Sequence, residues 1–238
     1  MNLTLDIGNT RIKWALFQGD TLTDHGVVTP AELPALCARH PWQRAAVCAS
    51  GQADLTPLTQ TGRPLHLLTH TSPLPITLDY ATPHTLGPDR IASACGAWQL
   101  HPHANSLIID AGTCITIDYL DASGTYRGGA ILPGIDMKFH ALHTFTAKLP
   151  LLENVESEQQ VVTGQNTTQS ITAGVLTATR FAVQGFIRHY CSHYGSVNIL
   201  LTGGDADRLA AQGDPQLRSA IRQPNLVHIG LNTILNET

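Results

Sequence analysis

Hydrophobic and polar positions alternate from the start of the chain. Leu3, Leu5 and Ile7 fall on one side of an extended segment, and Thr4 and Asp6 fall on the other. Gly8 and Asn9 turn the chain, Ile12 to Phe17 reads as a returning strand, and Gly19-Asp20 forms the next turn. The plan recurs in the second half. Leu107 to Asp110 is an apolar strand ending in aspartate, and Gly112-Thr113 turns the chain. Ile115, Ile117 and Tyr119 then alternate with Thr116 and Asp118, and a turn near Ala122-Ser123-Gly124 leads to a third strand from Tyr126 to Leu132. Asp6-Ile7-Gly8-Asn9 thus lines up with Asp110-Ala111-Gly112-Thr113, and the repeated strand-turn-strand plan predicts two similar lobes.

The rest of each half predicts α/β character. Ala45 to Ala49 and Leu65 to Leu68 are short apolar runs expected to be buried strands. Asp89 to Leu100 reads as a helix, with Ile91, Cys95 and Trp98 on one face and Pro88 at its start. Ile135 to Leu149 reads as a helix packing Phe139 and Leu142. A long helix is predicted from Thr168 to about His193, ending at Gly195. Val197 to Leu201 is a buried strand, followed by Gly203-Gly204 and a short helix from Asp205 to Gln212. The proline-rich stretch Thr69 to Pro88 reads as an extended connection carrying a site. No low-complexity linker separates the lobes, which predicts a tight cleft.

Composition narrows the class. Of 238 residues 42% are hydrophobic and 13% charged, so the chain can bury a core and is not of the disordered type. A net charge of −4 argues against a nucleic-acid binder. The five cysteines, Cys37, Cys48, Cys95, Cys114 and Cys191, show no CxxC spacing, and their odd number points to a reducing compartment. Neither a basic, apolar leader nor a run of about 20 apolar residues is present, so the expectation is a cytoplasmic protein with no membrane partner. The twelve histidines are scattered, without HExxH, and read as surface residues.

Asp6 stands at a strand end beside a glycine turn. A carboxylate there can hold a cation, while the N–H groups of the turn, with Asn9 and Thr10, can cradle phosphate oxygens. An ordinary hairpin with a capping aspartate would look the same, but the echo at Asp110 favours two phosphate loops. Asp89 falls at a helix start, where the dipole favours negative charge, and a carboxylate there can accept the proton of an attacking alcohol. Arg90 can bind a carboxylate or phosphate with its planar fork. By residues alone, a helix cap and a surface arginine explain this pair better than a catalytic role does. Gly128 to Gly134 supplies a backbone-rich turn before a helix, suited to an anion.

Paired Asp-Gly-Thr hairpins resemble the fold shared by actin, sugar kinases and heat-shock chaperone ATPases. The finer resemblance is to the type III pantothenate kinases. It rests on DIGNTRIK (Asp6 to Lys13), GPDR (Gly87 to Arg90), DAGT (Asp110 to Thr113), GGAILPG (Gly128 to Gly134) and NTTQSI (Asn166 to Ile171), in that order. AKLP at Ala147 to Pro150 and TGGDA at Thr202 to Ala206 also resemble family segments, whereas Gly19 to Pro75 does not. The resemblance implies two similar α/β lobes of the actin-like ATPase (ribonuclease H-like) fold, residues 1–106 and 107–238, with a nucleotide cleft between them. It implies transfer of the γ-phosphate of Mg-ATP to pantothenate, giving 4′-phosphopantothenate, the first step toward coenzyme A. Asp6, Ile7, Gly8, Asn9, Thr10, Arg11, Ile12, Lys13 and Thr113 would hold ATP, with Asp6 also near Mg²⁺. Tyr80, Gly87, Pro88, Asp89, Arg90 and Thr167 would hold pantothenate, with Asp89 as catalytic base and Thr167 acting across a homodimer interface. Asp110 would bind a monovalent cation, potassium or ammonium. Gly203-Gly204 resembles the turn against which adenine rests. Gln165 departs from the family, where a basic residue is common. Rival readings are a kinase for another acceptor, a non-catalytic regulator and a chaperone ATPase. GPDR with its spaced tyrosine, the presence of Asp89 and Asp110, and the short chain speak against them in turn.

Overall fold

The computed structural model describes residues 1–8, 11–49, 54–153, 155, 161–210 and 215–237. These form two compact units, one of residues 1–103, 122–127 and 225–238, the other of residues 104–121 and 128–224.

The first unit opens with three antiparallel strands, β1 (Asn2–Ile7), β2 (Ile12–Gln18) and β3 (Thr21–Val28). Helix α1 (Leu33–Arg39) leads to β4 (Arg44–Ala49), and α2 (Thr56–Thr59) leads to β5 (Leu65–Leu67). The strand order is β3-β2-β1-β4-β5, with β4 parallel to both β1 and β5. Sandwiched strands need apolar residues on both faces, and Ala45 to Cys48 are all fully buried. The proline-rich connection contributes a two-residue strand, β6 (Thr77–Leu78), before α3 (Pro88–Leu100).

The second unit repeats the plan. Strands β7 (Ser106–Ala111), β8 (Cys114–Leu120) and β9 (Thr125–Pro133) are followed by α4 (Ile135–Thr144). Then come α5 (Thr167–Thr172), a π-helical turn at Ala173–Thr177, and α6 (Ala178–Tyr194). The unit closes with β10 (Asn198–Thr202), α7 (Ala206–Ala210), α8 (Pro215–Arg218) and β11 (Ile221–Arg222). Its strands run β9-β8-β7-β10-β11, so each strand of the first sheet has a counterpart in the same place in the second. Strand β9 starts among first-unit residues, where Thr125 and Tyr126 pair in parallel with Thr77 and Leu78 of β6.

Two helices depart from the sequence expectation. Helix α4 stops at Thr144 rather than Leu149: the Thr146 hydroxyl caps the Leu142 carbonyl at 2.7 Å, and Pro150 disfavours helical geometry at Leu149. The long helix is interrupted by the π turn, where Gly174 and the β-branched Thr172, Val175 and Thr177 weaken regular α-geometry. It does end at Gly195, whose φ of 75° suits glycine.

The last helix, α9 (Leu226–Glu237), returns to the first unit and is buried along most of its length. It crosses α3 closely. A side chain on Gly96 would strike the Leu226 carbonyl, and one on Gly230 would strike the Ala92 carbonyl. The helix that begins with Pro88, Asp89 and Arg90 is therefore seated by the C-terminal helix.

Candidate active site

In the first unit, Asp6 is the sixth residue of the chain and pairs across the hairpin with Lys13, and across the parallel pair with Cys48. Its side chain is 16% exposed, with Lys13 Nζ 3.8 Å from Oδ2. The Cys48 thiol donates to Oδ1 at 3.4 Å. Burial pushes the Asp6 carboxyl above its ordinary value, Lys13 and the Cys48 thiol pull it back, and the charge of Asp89 adds to the rise. The Cys48 thiol is pushed well up by burial and by the charges of Asp6 and Asp89. Asp89 is thus within electrostatic reach of the hairpin aspartate, although the two are far apart in sequence. Ile7 and Ile12 are each 1% exposed and belong to the core, which leaves only their main chain for a ligand. The Gly8 N–H donates to the Arg11 carbonyl at 3.1 Å and closes the turn. Arg11 and Lys13 are exposed, and the expected Asn9 and Thr10 contacts lie outside the described residues.

Helix α3 begins with Gly87 as N-cap, Pro88, then Asp89 in its first turn. Arg90 is not a surface residue: it is 7% exposed. Gly87 matters for its missing side chain, since a Cβ there would lie 2.5 Å from Asp89 Oδ1. Tyr80 follows β6, half-buried, its ring 6.1 Å from that of Tyr126. The Asp79 N–H donates to the Tyr126 carbonyl at 3.0 Å, and Arg127 pairs with the Asp79 carboxylate at 2.6 Å.

In the second unit three separated motifs meet at the second hairpin. Asp110 ends β7 one residue before its close and pairs in register with Thr116. The Gly134 N–H donates to the Thr113 carbonyl at 3.1 Å, and a side chain on Gly134 would strike the Gly112 and Thr113 carbonyls. Gly203, at φ 91°, leaves room for Asp110: a Cβ there would lie 2.5 Å from its Oδ1. The Asp205 N–H donates to the Ala111 carbonyl at 2.8 Å. Beside these turns is a cavity of about 390 Å³ lined by Gly112, Thr113, Asp136, Met137, His140 and Asp205.

Arg208 holds two of these residues, reaching Asp136 Oδ1 at 2.9 Å and Asp205 Oδ1 at 3.0 Å. Burial alone would lower its pKa, but the hydrogen bonds and charges of both carboxylates hold it above the ordinary value. Thr167 is exposed in the first turn of α5, and the N-cap is Asn166, whose side chain accepts from the Gln169 N–H at 2.9 Å. Among the described residues, no group of three or more His, Cys, Asp or Glu is placed to hold a metal ion, and no helix is long and apolar enough to cross a membrane.

The sequence reading missed Cys48, Asp136, Asp205 and Arg208 as site neighbours. Asp136 lies two residues after GGAILPG and Asp205 directly after Gly203-Gly204, so the signal was nearness to those turns. Cys48 and Arg208 carry no local signal, because strand pairing and helix placement bring them in.

The profile of the type III pantothenate kinase family matches residues 45–189. A type III pantothenate kinase of Cytophaga hutchinsonii is 39% identical over 238 residues, covering 99% of each chain. A conserved Campylobacter jejuni protein described provisionally as a Baf family transcriptional activator matches in fold with a TM-score of 0.68 at 20% identity, covering 99% of this chain and 98% of its own. The activator of 2-hydroxyisocaproyl-CoA dehydratase from Clostridium difficile, solved with ADPNP, matches with a TM-score of 0.57 at 14% identity, covering 99% and 94%. These likenesses show the two-lobed α/β fold of actin-like ATPases and sugar kinases. With its family profile over more than half the chain and a relative similar from end to end, this chain belongs to the type III pantothenate kinase family.

Proposed function

We propose that the chain phosphorylates pantothenate with Mg-ATP, giving 4′-phosphopantothenate and ADP in the first step of coenzyme A synthesis, with Asp89 as general base. One observation carries the role of Asp89: the helix it opens, α3, packs on β4, whose Cys48 hydrogen-bonds Asp6 of the phosphate hairpin, all within one unit. A hydroxyl held at Asp89 would lie near phosphate held at the hairpin. Asp89 takes the hydroxyl proton, the oxygen forms a bond to the γ-phosphorus, and the bond to the ADP oxygen breaks. The Gly8 turn, Arg11 and Lys13 would orient the phosphates, and Thr113 is a further proposed ATP contact.

Asp6 fits Mg²⁺: it is a hard oxygen donor, and burial penalises its charge until a cation offsets it. A single carboxylate suits an ion that keeps water and phosphate oxygens as its other ligands. When bound, Mg²⁺ neutralises charge on the phosphates.

The test is ADP release by purified protein with and without pantothenate. Release should require pantothenate, and Asp89→Asn should lower kcat by about 10²–10⁴-fold with ATP binding retained. Equal release without pantothenate sinks the substrate. A loss under about tenfold makes Asp89 a positioning group rather than a base.

Asp110 is the proposed monovalent-cation ligand, by its correspondence with Asp6. Activity should rise when potassium or ammonium replaces sodium, and an undiminished response in Asp110→Asn would remove it. Tyr80, the Gly87-Pro88 turn, buried Arg90 and Thr167 are the proposed pantothenate contacts. Tyr80→Phe, Arg90→Met and Thr167→Val should each raise KM for pantothenate more than for ATP; an unchanged KM eliminates that residue. The proposed location is the cytoplasm, and activity confined to a membrane fraction would contradict it.

A further inference from the structure

We propose that Arg208 is a positioning residue of the nucleotide site, keeping the carboxylates of Asp136 and Asp205 neutralised and fixed so that the cavity beside Thr113 admits an anionic nucleotide. The proposal rests on the reading that the second hairpin binds ATP. Both aspartates line the cavity with Gly112 and Thr113. A polyphosphate approaching them would be repelled, and Asp136, in the first turn of α4, also offsets the positive end of that helix. Arg208 answers both charges with one nitrogen, Nη1, at 2.9 and 3.0 Å, while Nη2 donates to the Val155 carbonyl at 3.4 Å.

One guanidinium thereby ties the start of α4, the turn after β10 and the chain at Val155. The geometry is asymmetric in a telling way. Asp205 is 18% exposed, and its N–H is already fastened to Ala111, whereas the Asp136 side chain is 72% exposed. An ion pair to so exposed a carboxylate contributes little to folding. Its consequence is local: it fixes Asp136 and offsets its charge at the cavity wall. A guanidinium suits this task better than an ammonium, because its planar fork directs several donors at once.

The experiment compares wild type, Arg208→Met and the triple variant Arg208→Met/Asp136→Asn/Asp205→Asn in steady-state kinetics. For Arg208→Met, KM for Mg-ATP should rise about five- to tenfold, as expected for one uncompensated charge in a partly screened site. KM for pantothenate and kcat should stay within about twofold. The triple variant should return KM for Mg-ATP to within about twofold of wild type, since the carboxylates that repel the nucleotide are gone. A structural tie would not be rescued this way, so a triple variant as weak as Arg208→Met overturns the proposal, as does an unchanged KM in the single variant. Should Arg208→Met fail to fold, Asp136→Asn/Asp205→Asn with Arg208 intact decides: KM for Mg-ATP should fall or hold, and a rise overturns the proposal. A wild-type protein that does not turn over Mg-ATP with pantothenate would instead defeat the underlying reading.

Discussion

Gly87 and Asp89 form one steric unit. The backbone at Gly87, φ −57° and ψ 130°, is open to any residue, so the glycine is not there for conformation. It is there because a Cβ would lie 2.5 Å from Asp89 Oδ1. The atom it strikes is the free end of a side chain, which can rotate away at small cost. Gly87→Ala should therefore fold normally, with a melting temperature within a few degrees of wild type, yet misplace the carboxylate. A shift of about 1 Å in a reacting group costs up to about 10²-fold, and kcat should fall on that scale. Full kcat in a folded Gly87→Ala protein would show that Asp89 is placed by something else.

At the scale of elements, α9 determines where α3 stands. The facing glycines Gly96 and Gly230 let the two backbones approach, and α9 also carries a buried histidine under β1. His228 Nδ1 and the Thr4 hydroxyl hydrogen-bond at 2.9 Å. Burial, then the charges of Lys13 on β2 and His25 on β3, hold His228 down at about 3, from an ordinary value of 6.5. Below pH 6.5 the unfolded chain takes up this proton and the folded one does not. Stability is thus lost as pH falls from 6.5 toward 3, with a slope of up to about 1.4 kcal/mol per pH unit from this group. The urea midpoint should fall between pH 7 and pH 5, and His228→Gln should flatten that fall. Identical pH slopes in the two proteins would clear His228 of the effect.

For the whole molecule, the two sheets repeat one strand order, so a carboxylate at a strand end followed by a glycine turn occurs once per unit. The units are not chemically equivalent: Lys13 stands across from Asp6, and Thr116 across from Asp110. That asymmetry fits the proposal that Asp6 serves Mg²⁺ and Asp110 a monovalent ion. Homodimerisation is the remaining proposal at this scale, resting on the family resemblance around Thr167, which is exposed at the start of α5. Light scattering should give a mass about twice the 25.6 kDa chain. A fully active monomer would mean that one chain supplies every pantothenate contact.

Period-two alternation and glycine turns by themselves determined the two hairpins, because in a strand each residue's face follows directly from its position. The motifs DIGNTRIK, GPDR and DAGT named the proposed site residues for a similar reason: turns and helix starts are local. The tertiary structure alone decided what non-local pairing brings in. Cys48 reaches Asp6 only because β4 pairs in parallel with β1, and Arg208 reaches Asp136 only because α7 comes to lie by α4. Helix α9 shows no sequence sign of belonging with the first sheet, since its apolar surface could cover either unit. Where it docks depended on the matching glycines of a helix that ends more than a hundred residues earlier.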